Sequence, residues 1–349
     1  MMIRWFVPGN FPATTGAIVF DTRLAEALRA AGDVVEITPL PGMHPLADAE
    51  AEEAASRAAQ GLAPDADGPI VIDGFCLYAF AAEAERLTAA IAILHHPMSA
   101  EPHLAEDERA RFHAIESALL PRLAHIVVPS EAVRQQIITT HGLAAERVTL
   151  LAPGVPDAPR SAGSGGPGCH LLAVASLIPR KGYETVLRAL QRLPDLDWRL
   201  TICGDASIDA SHAATLHALA EEPGLAGRVR FLGPQTTDEM EALWQSADVF
   251  VSGSRFEGYG MAVAEAVRHG LPLAITKTAA APELIPQQGS ALVHPGDDVQ
   301  LSKALRRLIF DPSARAVMAQ TSWEAGQSLP NWTDQARHFR LLLAGARAA

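Results

Sequence analysis

The sequence predicts an α/β protein built from two doubly wound domains, each a parallel sheet with helices on its faces. Three observations carry this expectation. The chain has 349 residues, and an ordinary domain takes about 150. Short apolar runs of strand length alternate with helical patterns in both halves, which is the signature of βαβ units. Between the halves lies Pro156–Gly168, PDAPRSAGSGGPG, rich in proline, glycine and serine and nearly free of apolar side chains. That is linker composition. The boundary is therefore placed there, with 1–158 and 169–328 as the two domains; a long surface loop inside one domain is the alternative.

The first half opens on an apolar strand, Met2–Val7, followed by the turn-rich loop Pro8–Gly16. An amphipathic helix runs through Leu24, Ala27, Leu28 and Ala31 and ends near Gly32. Asp33–Thr38 is the next strand. Residues 44–68, rich in Ala, Asp and Glu, read as a solvated helix with an exposed turn. Ile70–Asp73, Ala89–Leu94, His125–Val128 and Val148–Leu151 are strand-length runs, and 104–121 is helical. In the second half strands are expected at 170–175, 198–203, 229–232, 248–252 and 272–275. Helices are expected at 182–193, 209–222, 237–246, 259–269, 298–310 and 312–326. The tail, Asn331–Ala346, reads as a helix with Trp332, Ala336, Phe339 and Leu343 on one face. In doubly wound sheets a ligand sits outside the carboxyl ends of the strands, and a two-domain protein of this type places its site in the cleft between the domains.

Composition excludes several classes. Hydrophobic residues make up 48% and charged residues 19%, so the chain is not disordered. The net charge of −12 argues against nucleic acid as a partner. Residues 1–158 hold 10 basic and 21 acidic side chains, so the first half is repelled by anionic lipid and membrane association is disfavoured. No apolar stretch approaches the length of a membrane span, and the first residues lack the run of a signal peptide. Cys76, Cys169 and Cys203 show no metal or disulfide spacing. A cytoplasmic protein is the expectation.

The most informative segment is Ser252–Leu273, SGSRFEGYGMAVAEAVRHGLPL. A buried strand leads into a polar loop and then into a helix of almost only Ala, Val and Met. One carboxylate, Glu265, stands in that helix, and a buried carboxylate needs partners. Glu257 precedes it by eight residues, beside Gly258 and Gly260, which let a ligand approach the backbone. Amides around Tyr259 and Met261 at the helix start attract an anion such as a diphosphate. The plain structural alternative is a helix capped by its own loop with Glu265 in a salt bridge.

This segment resembles the signature of the family 4 retaining glycosyltransferases, glycosyl transferases group 1. There two glutamates with seven residues between them lie in an EGxGxxxxEAxxxGxP context. Here Glu257, Gly258, Gly260, Glu265, Ala266, Gly270 and Pro272 occupy those places. The resemblance implies the GT-B fold, two Rossmann-like domains facing a cleft, with a nucleotide sugar held by the second. It implies that Glu265 accepts from the ribose hydroxyls and that Glu257 contacts the donor sugar. The amides of Gly258–Met261 would lie against sugar and phosphate. The final helix, 331–349, resembles the one that crosses back onto the first domain.

A second segment, Leu172–Gly182, LAVASLIPRKG, runs from a strand to adjacent cations, Arg180 and Lys181. Cations there neutralise charge developing on a leaving diphosphate, although a solvated helix start would look the same. The chain holds only three lysines. The segment is similar to the family's phosphate loop, and Lys181 matches its lysine. The family's Gly-Arg at the strand end is replaced by Ala175-Ser176, and Arg180 is the candidate substitute. Gly16 is the one match to the family's glycine pair after the first strand. Gly204, in Ile202–Asp205, resembles a strand-end Gly-Asp. In IAILHHP, Ile91–Pro97, His95 or His96 resembles the family's first-domain histidine, and His95 fits slightly better. Glu101, His103 and Asp73 are further candidates to shape the acceptor side, with His96. No carboxylate–histidine set sits at metal-ligand spacing.

The expected function is a retaining, metal-independent glycosyltransferase moving a sugar from a nucleoside-diphosphate sugar to an acceptor hydroxyl of unknown identity. Candidate catalytic residues are Glu257, Lys181, Arg180 and His95. Gly16, Gly204, Gly258, Tyr259, Gly260, Met261 and Glu265 are expected to bind the donor, and no cofactor is called for. A sugar-nucleotide epimerase, or another enzyme binding nucleotide sugars on the same architecture, is the alternative. A silent binding subunit is a third reading, opposed by the paired glutamates and the Lys181 loop.

Overall fold

The computed structural model describes residues 1–61, 68–101, 104–278 and 280–346. It divides into two units, Met1–Gly154 with Pro330–Ala349, and Val155–Leu329.

The first unit is a six-stranded sheet, every pairing parallel, in the order β2-β1-β3-β4-β5-β6. Its strands are β1 (Met2–Pro8), β2 (Val34–Leu40), β3 (Ile70–Asp73), β4 (Ala90–Ile93), β5 (His125–Val128) and β6 (Val148–Leu150). β3 and β4 are buried along their whole length, as strands covered on both faces must be. The helices are α1 (Gly16–Ala30), α2 (Ala49–Ala59), the single turn α3 (Gly74–Leu77), α4 (Glu106–Leu119) and α5 (Glu131–His141).

The second unit is also parallel throughout, in the order β12-β11-β10-β7-β8-β9. It comprises β7 (Cys169–Val174), α6 (Tyr183–Gln191), β8 (Trp198–Cys203), α7 (Ala210–Ala220), β9 (Val229–Leu232), α8 (Thr237–Ser246), β10 (Val249–Ser252), α9 (Met261–Arg268), β11 (Leu273–Thr276), β12 (Ser290–Val293), α10 (Asp298–Phe310) and α11 (Pro312–Gly326). The strand order reverses between β7 and β10, which makes that point the expected ligand position of a doubly wound sheet. A last helix, α12 (Trp332–Ala346), belongs to the first unit. Its Ala336, Phe339 and Leu343 are buried, and Phe339 meets Trp5 at 6.1 Å between ring centres.

Four features differ from expectation. The segment 44–68 is not a solvated helix: α2 buries Ala51, Ala54, Ala55 and Ala59 in the core with Phe80 and Leu87. Alanine adds little to a hydrophobicity signal but lets a helix pack closely. Residues 62–67 of that segment lie outside the described residues, as do 347–349 of the tail. Second, the 3₁₀ stretch Tyr78–Ala89, α5 and β12 arise where no element was expected. α5 buries only Val133 and Ile137, too few for a clear helical period. Third, Pro156–Gly168 has no helix or strand but is pinned to the second unit rather than hanging between units. Ser161 N donates to His269 O at 2.8 Å, and Ser161 Oγ to Ala247 O at 2.8 Å. Fourth, the unit boundary falls at Gly154–Val155, just ahead of that stretch. No helix among the described residues is long and apolar enough to cross a membrane.

Candidate functional site

The second-unit residues expected to bind the donor lie around the reversal point of the second sheet. β7 and β10 pair directly, so the loops leaving their carboxyl ends run side by side. The loops touch backbone to backbone. A Cβ on Gly182 would stand 2.1 Å from Gly253 O, and Gly182 has φ +61°, the left-handed region. Only glycine meets both demands. Arg255 N donates to Arg180 O at 2.8 Å, tying the loops together.

This contact assembles an acid between two cations. Lys181 Nζ donates to Glu257 Oε1 at 2.5 Å. Arg180 Nη1 lies 3.3 Å from Glu257 Oε2 and donates to Phe256 O at 2.7 Å. Ser254 Oγ donates to Glu257 Oε1 at 2.8 Å. Burial alone pushes the Glu257 carboxyl up, but Lys181 and Arg180 outweigh it and hold the group at about 2. The side chain of Glu257 is 14% exposed and those of Lys181 and Arg180 are similar, so the trio stays within reach of a ligand.

Gly260, at φ +97°, starts α9. Met261 is the first helical residue, and Glu265 is half-buried on the same helix. Tyr259 is buried, and its carbonyl accepts Ala281 N at 2.7 Å. Gly204 is required by packing: a Cβ there would stand 1.8 Å from Ala175 O. At Gly16 an added Cβ meets nothing within 4 Å, so packing does not explain that glycine.

The first-unit candidates form a separate cluster. β3 and β4 pair with Asp73 opposite Ile93, which sets His95 just past the strand end beside Asp73. His95 Nε2 lies 2.8 Å from Asp73 Oδ2 and 3.5 Å from Asp21 Oδ1. Asp21 is 2% exposed on the buried face of α1. Burial, then the neighbouring Asp73 carboxylate, push Asp21 up to about 8. Burial opposes the charged form of His95, but hydrogen bonding and attraction to Asp21 and Asp73 outweigh it and raise His95 to about 10. Phe75 stacks on the His95 ring at 5.9 Å, and Phe20 meets its edge at 5.4 Å.

Both acceptor-side candidates, Asp73 and His96, are buried. Asp73 is fully buried; its carboxylate also caps α3 by accepting Phe75 N at 2.7 Å. Its other oxygen lies 2.8 Å from His95 Nε2. His96 is buried and its Nε2 lies 2.7 Å from Glu101 Oε1. His103 lies outside the described residues. Sequence reasoning missed Ser254 and Asp21. Asp21 did carry a signal, a lone acid on the apolar face of a helix, the same signal that drew attention to Glu265. In space, Asp21, Asp73 and His95 do gather at ligand-like distances, which spacing along the chain does not show.

The family model described as glycosyl transferases group 1 matches residues 161–324. A D-inositol 3-phosphate glycosyltransferase from Corynebacterium aurimucosum is 30% identical over 171 residues, covering 48% of this chain and 40% of that protein. The lipopolysaccharide core biosynthesis glycosyltransferase LpsE of Rhizobium meliloti is 30% identical over 156 residues, 44% of this chain and 43% of that protein. The matches thus span about two-fifths of the length of these curated relatives. Among solved structures, sucrose-phosphate synthase from Thermosynechococcus elongatus superposes with a TM-score of 0.81 at 20% identity, covering 99% of both chains. HepE of Anabaena, solved with UDP and glucose, gives 0.79 at 19% identity over 99% of this chain and 100% of that one. The second unit thus resembles the glycosyl transferases group 1 almost end to end, and the chain has a GT-B fold of two Rossmann-like units.

Proposed function

We propose that the protein is a retaining glycosyltransferase that moves a sugar from a nucleoside-diphosphate sugar to an acceptor hydroxyl. The observation that carries this reading is the Arg180–Lys181–Glu257 trio at the reversal point of the second sheet. Arg180 and Lys181 supply positive charge where a diphosphate gathers negative charge as it leaves. Glu257, held ionised between them, is fixed in position to accept from hydroxyls of the donor sugar. Backbone amides at the start of α9 add to the anion's binding, and Glu265 takes the ribose hydroxyls. The acceptor hydroxyl attacks the face from which the diphosphate departs, and the leaving phosphate oxygen takes its proton. The bond from the anomeric carbon to the phosphate oxygen breaks as the new glycosidic bond forms. Two cations beside the leaving group make a metal-independent route chemically sufficient. His95 donates to a sugar hydroxyl, with Asp73 and Asp21 holding its ring.

The relatives' names and the UDP and glucose in the HepE structure support this reading by analogy. No observation favours the epimerase alternative. Three buried, unpaired cysteines, Cys76, Cys169 and Cys203, support a reducing, cytoplasmic setting.

Thermal-shift titration with UDP, GDP, ADP and their sugars tests the proposal. A nucleotide that binds the folded chain raises its melting temperature by mass action. With the responsive donor, the anomeric configuration of the product is then read by NMR. Failure of every nucleotide and nucleotide sugar to shift the melt overturns the reading, and an inverted anomer overturns the retaining assignment.

A further inference from the structure

A second chemical cluster lies in the first unit, on α4 and at the end of α5. It borders a cavity of about 420 Å³ lined among others by Ser99, Glu106, Arg109, His113, Gln136 and His141. His113 and Glu116 stand one turn apart on α4 and so share a face. His141 is the last residue of α5. A ligand-type atom of each of the three lies within 4.8 Å of the other two.

The cluster is built rather than incidental. Glu116 and His141 have fully buried side chains, with Oε2 and Nε2 3.5 Å apart. Glu116 Oε1 accepts from Tyr78 Oη at 2.7 Å and from Ser99 N at 3.2 Å, and Oε2 accepts from Ser99 Oγ at 2.5 Å. A carboxylate has about four lone-pair positions, so these donors orient the group and leave one position on Oε2. Ser117 Oγ lies 3.0 Å from His141 Nδ1, which fixes that ring and reserves the other nitrogen. His141 Nε2 is buried and makes no close hydrogen bond among the described residues, its one partner being the Glu116 carboxylate 3.5 Å away. The His113 ring stacks on His141 at 5.1 Å and is solvent-exposed.

We propose that His113, Glu116 and His141 form a binding site for a divalent transition metal of the zinc class, with its remaining coordination position open to the cavity. Two imidazoles and one carboxylate suit zinc, whereas calcium and magnesium prefer all-oxygen sets. Bonds of about 2.1 Å in a tetrahedron put ligand atoms about 3.4 Å apart, close to the Glu116–His141 separation. Ser117, Ser99 and Tyr78 form the outer hydrogen-bonding layer that orients such ligands. The Asp21–Asp73–His95 group differs, because its histidine nitrogen is already engaged by Asp73 at 2.8 Å.

The test uses the full chain stripped of metal with a chelator. Zn2+ is titrated calorimetrically, and Co2+ is followed by its visible absorption. The expected result is one Zn2+ per chain and the visible bands of tetrahedral cobalt. His113→Gln and His141→Gln should each weaken binding by about 100-fold or more, beyond the roughly 10–100-fold typical of outer-layer losses, while His95→Gln leaves it unchanged. Absence of saturable Zn2+ binding, or equal binding by the His113 and His141 variants, overturns the proposal. Circular dichroism confirms each fold, and the exposed His113 variant carries the test if the buried His141 variant does not fold.

Discussion

Lys181 Nζ and Glu257 Oε1 stand 2.5 Å apart across 76 residues of chain, because β7 and β10 are neighbours where the strand order of the second sheet reverses. The pair is held by backbone contact between Gly182 and Gly253 beneath it. Replacing Lys181 by Gln shortens the side chain only slightly and removes its charge. Turnover in a nucleotide-release assay should fall by about 10²–10³-fold, the loss typical of one electrostatic stabiliser. Glu257→Ala should also lose most turnover. Normal turnover of either variant across a donor panel would show the pair to be structural only.

Glu257 also links acid to stability. Its folded pKa, about 2, lies below the ordinary 4.5. Such a group contributes stability that is complete above about 4.5 and is lost as pH falls toward 2. Melting curves of the native chain and of Glu257→Gln should therefore be separated at pH 6 and converge as pH is lowered through that window. A gap that stays constant would show that Glu257 is not held ionised.

The His95 cluster has the opposite sign. Asp21 is raised to about 8 and His95 to about 10, so the folded chain holds protons that the unfolded chain has released. Stability from His95 is complete below about 6.5 and is lost as pH rises through 10; Asp21 adds loss in the same direction up to about 8. Melting temperature should fall between pH 7 and pH 10, and His95→Gln should flatten the slope. An equally steep slope in the variant would refute the assignment.

Gly182→Ala places a methyl group 2.1 Å from Gly253 O on a backbone at φ +61°. The left-handed conformation alone costs about 1–2 kcal/mol, and the loops must part as well. The melting temperature should drop and the thermal shift given by the responsive nucleotide should shrink. Gly16→Ala, with nothing within 4 Å of the new carbon, should leave the melt unchanged. Equal effects at the two glycines would contradict the loop contact.

Arg268 ends α9 buried, donating to Leu329 O at 2.7 Å, with Val155 O at 3.4 Å and Asp157 Oδ1 at 3.3 Å. It gathers the first and last residues of the second unit. Arg268→Ala leaves these acceptors without their donor and should cost about 2–4 kcal/mol in urea unfolding. A loss below about 1 kcal/mol would mean water replaces the guanidinium.

Chemistry carried by neighbours in the chain is legible in the amino-acid order alone. Glu257, Gly258, Gly260 and Glu265 fall at fixed spacing around one loop and one helix. Arg180, Lys181 and Gly182 are contiguous, and the apolar runs mark most of the strands. That Glu257 and Lys181 meet, that Asp21 and Asp73 enclose His95, and that His141 joins His113 and Glu116 depend on sheet register and helix packing. Such contacts join residues tens of positions apart, and no local period encodes them. The same reason hid α5 and the buried face of α2, where tertiary packing completes elements whose own hydrophobic signal is weak. Asp73 shows the distinction most plainly: its position at a strand end marked it as chemically placed, but only the fold buries it completely and sets its carboxylate 2.8 Å from His95.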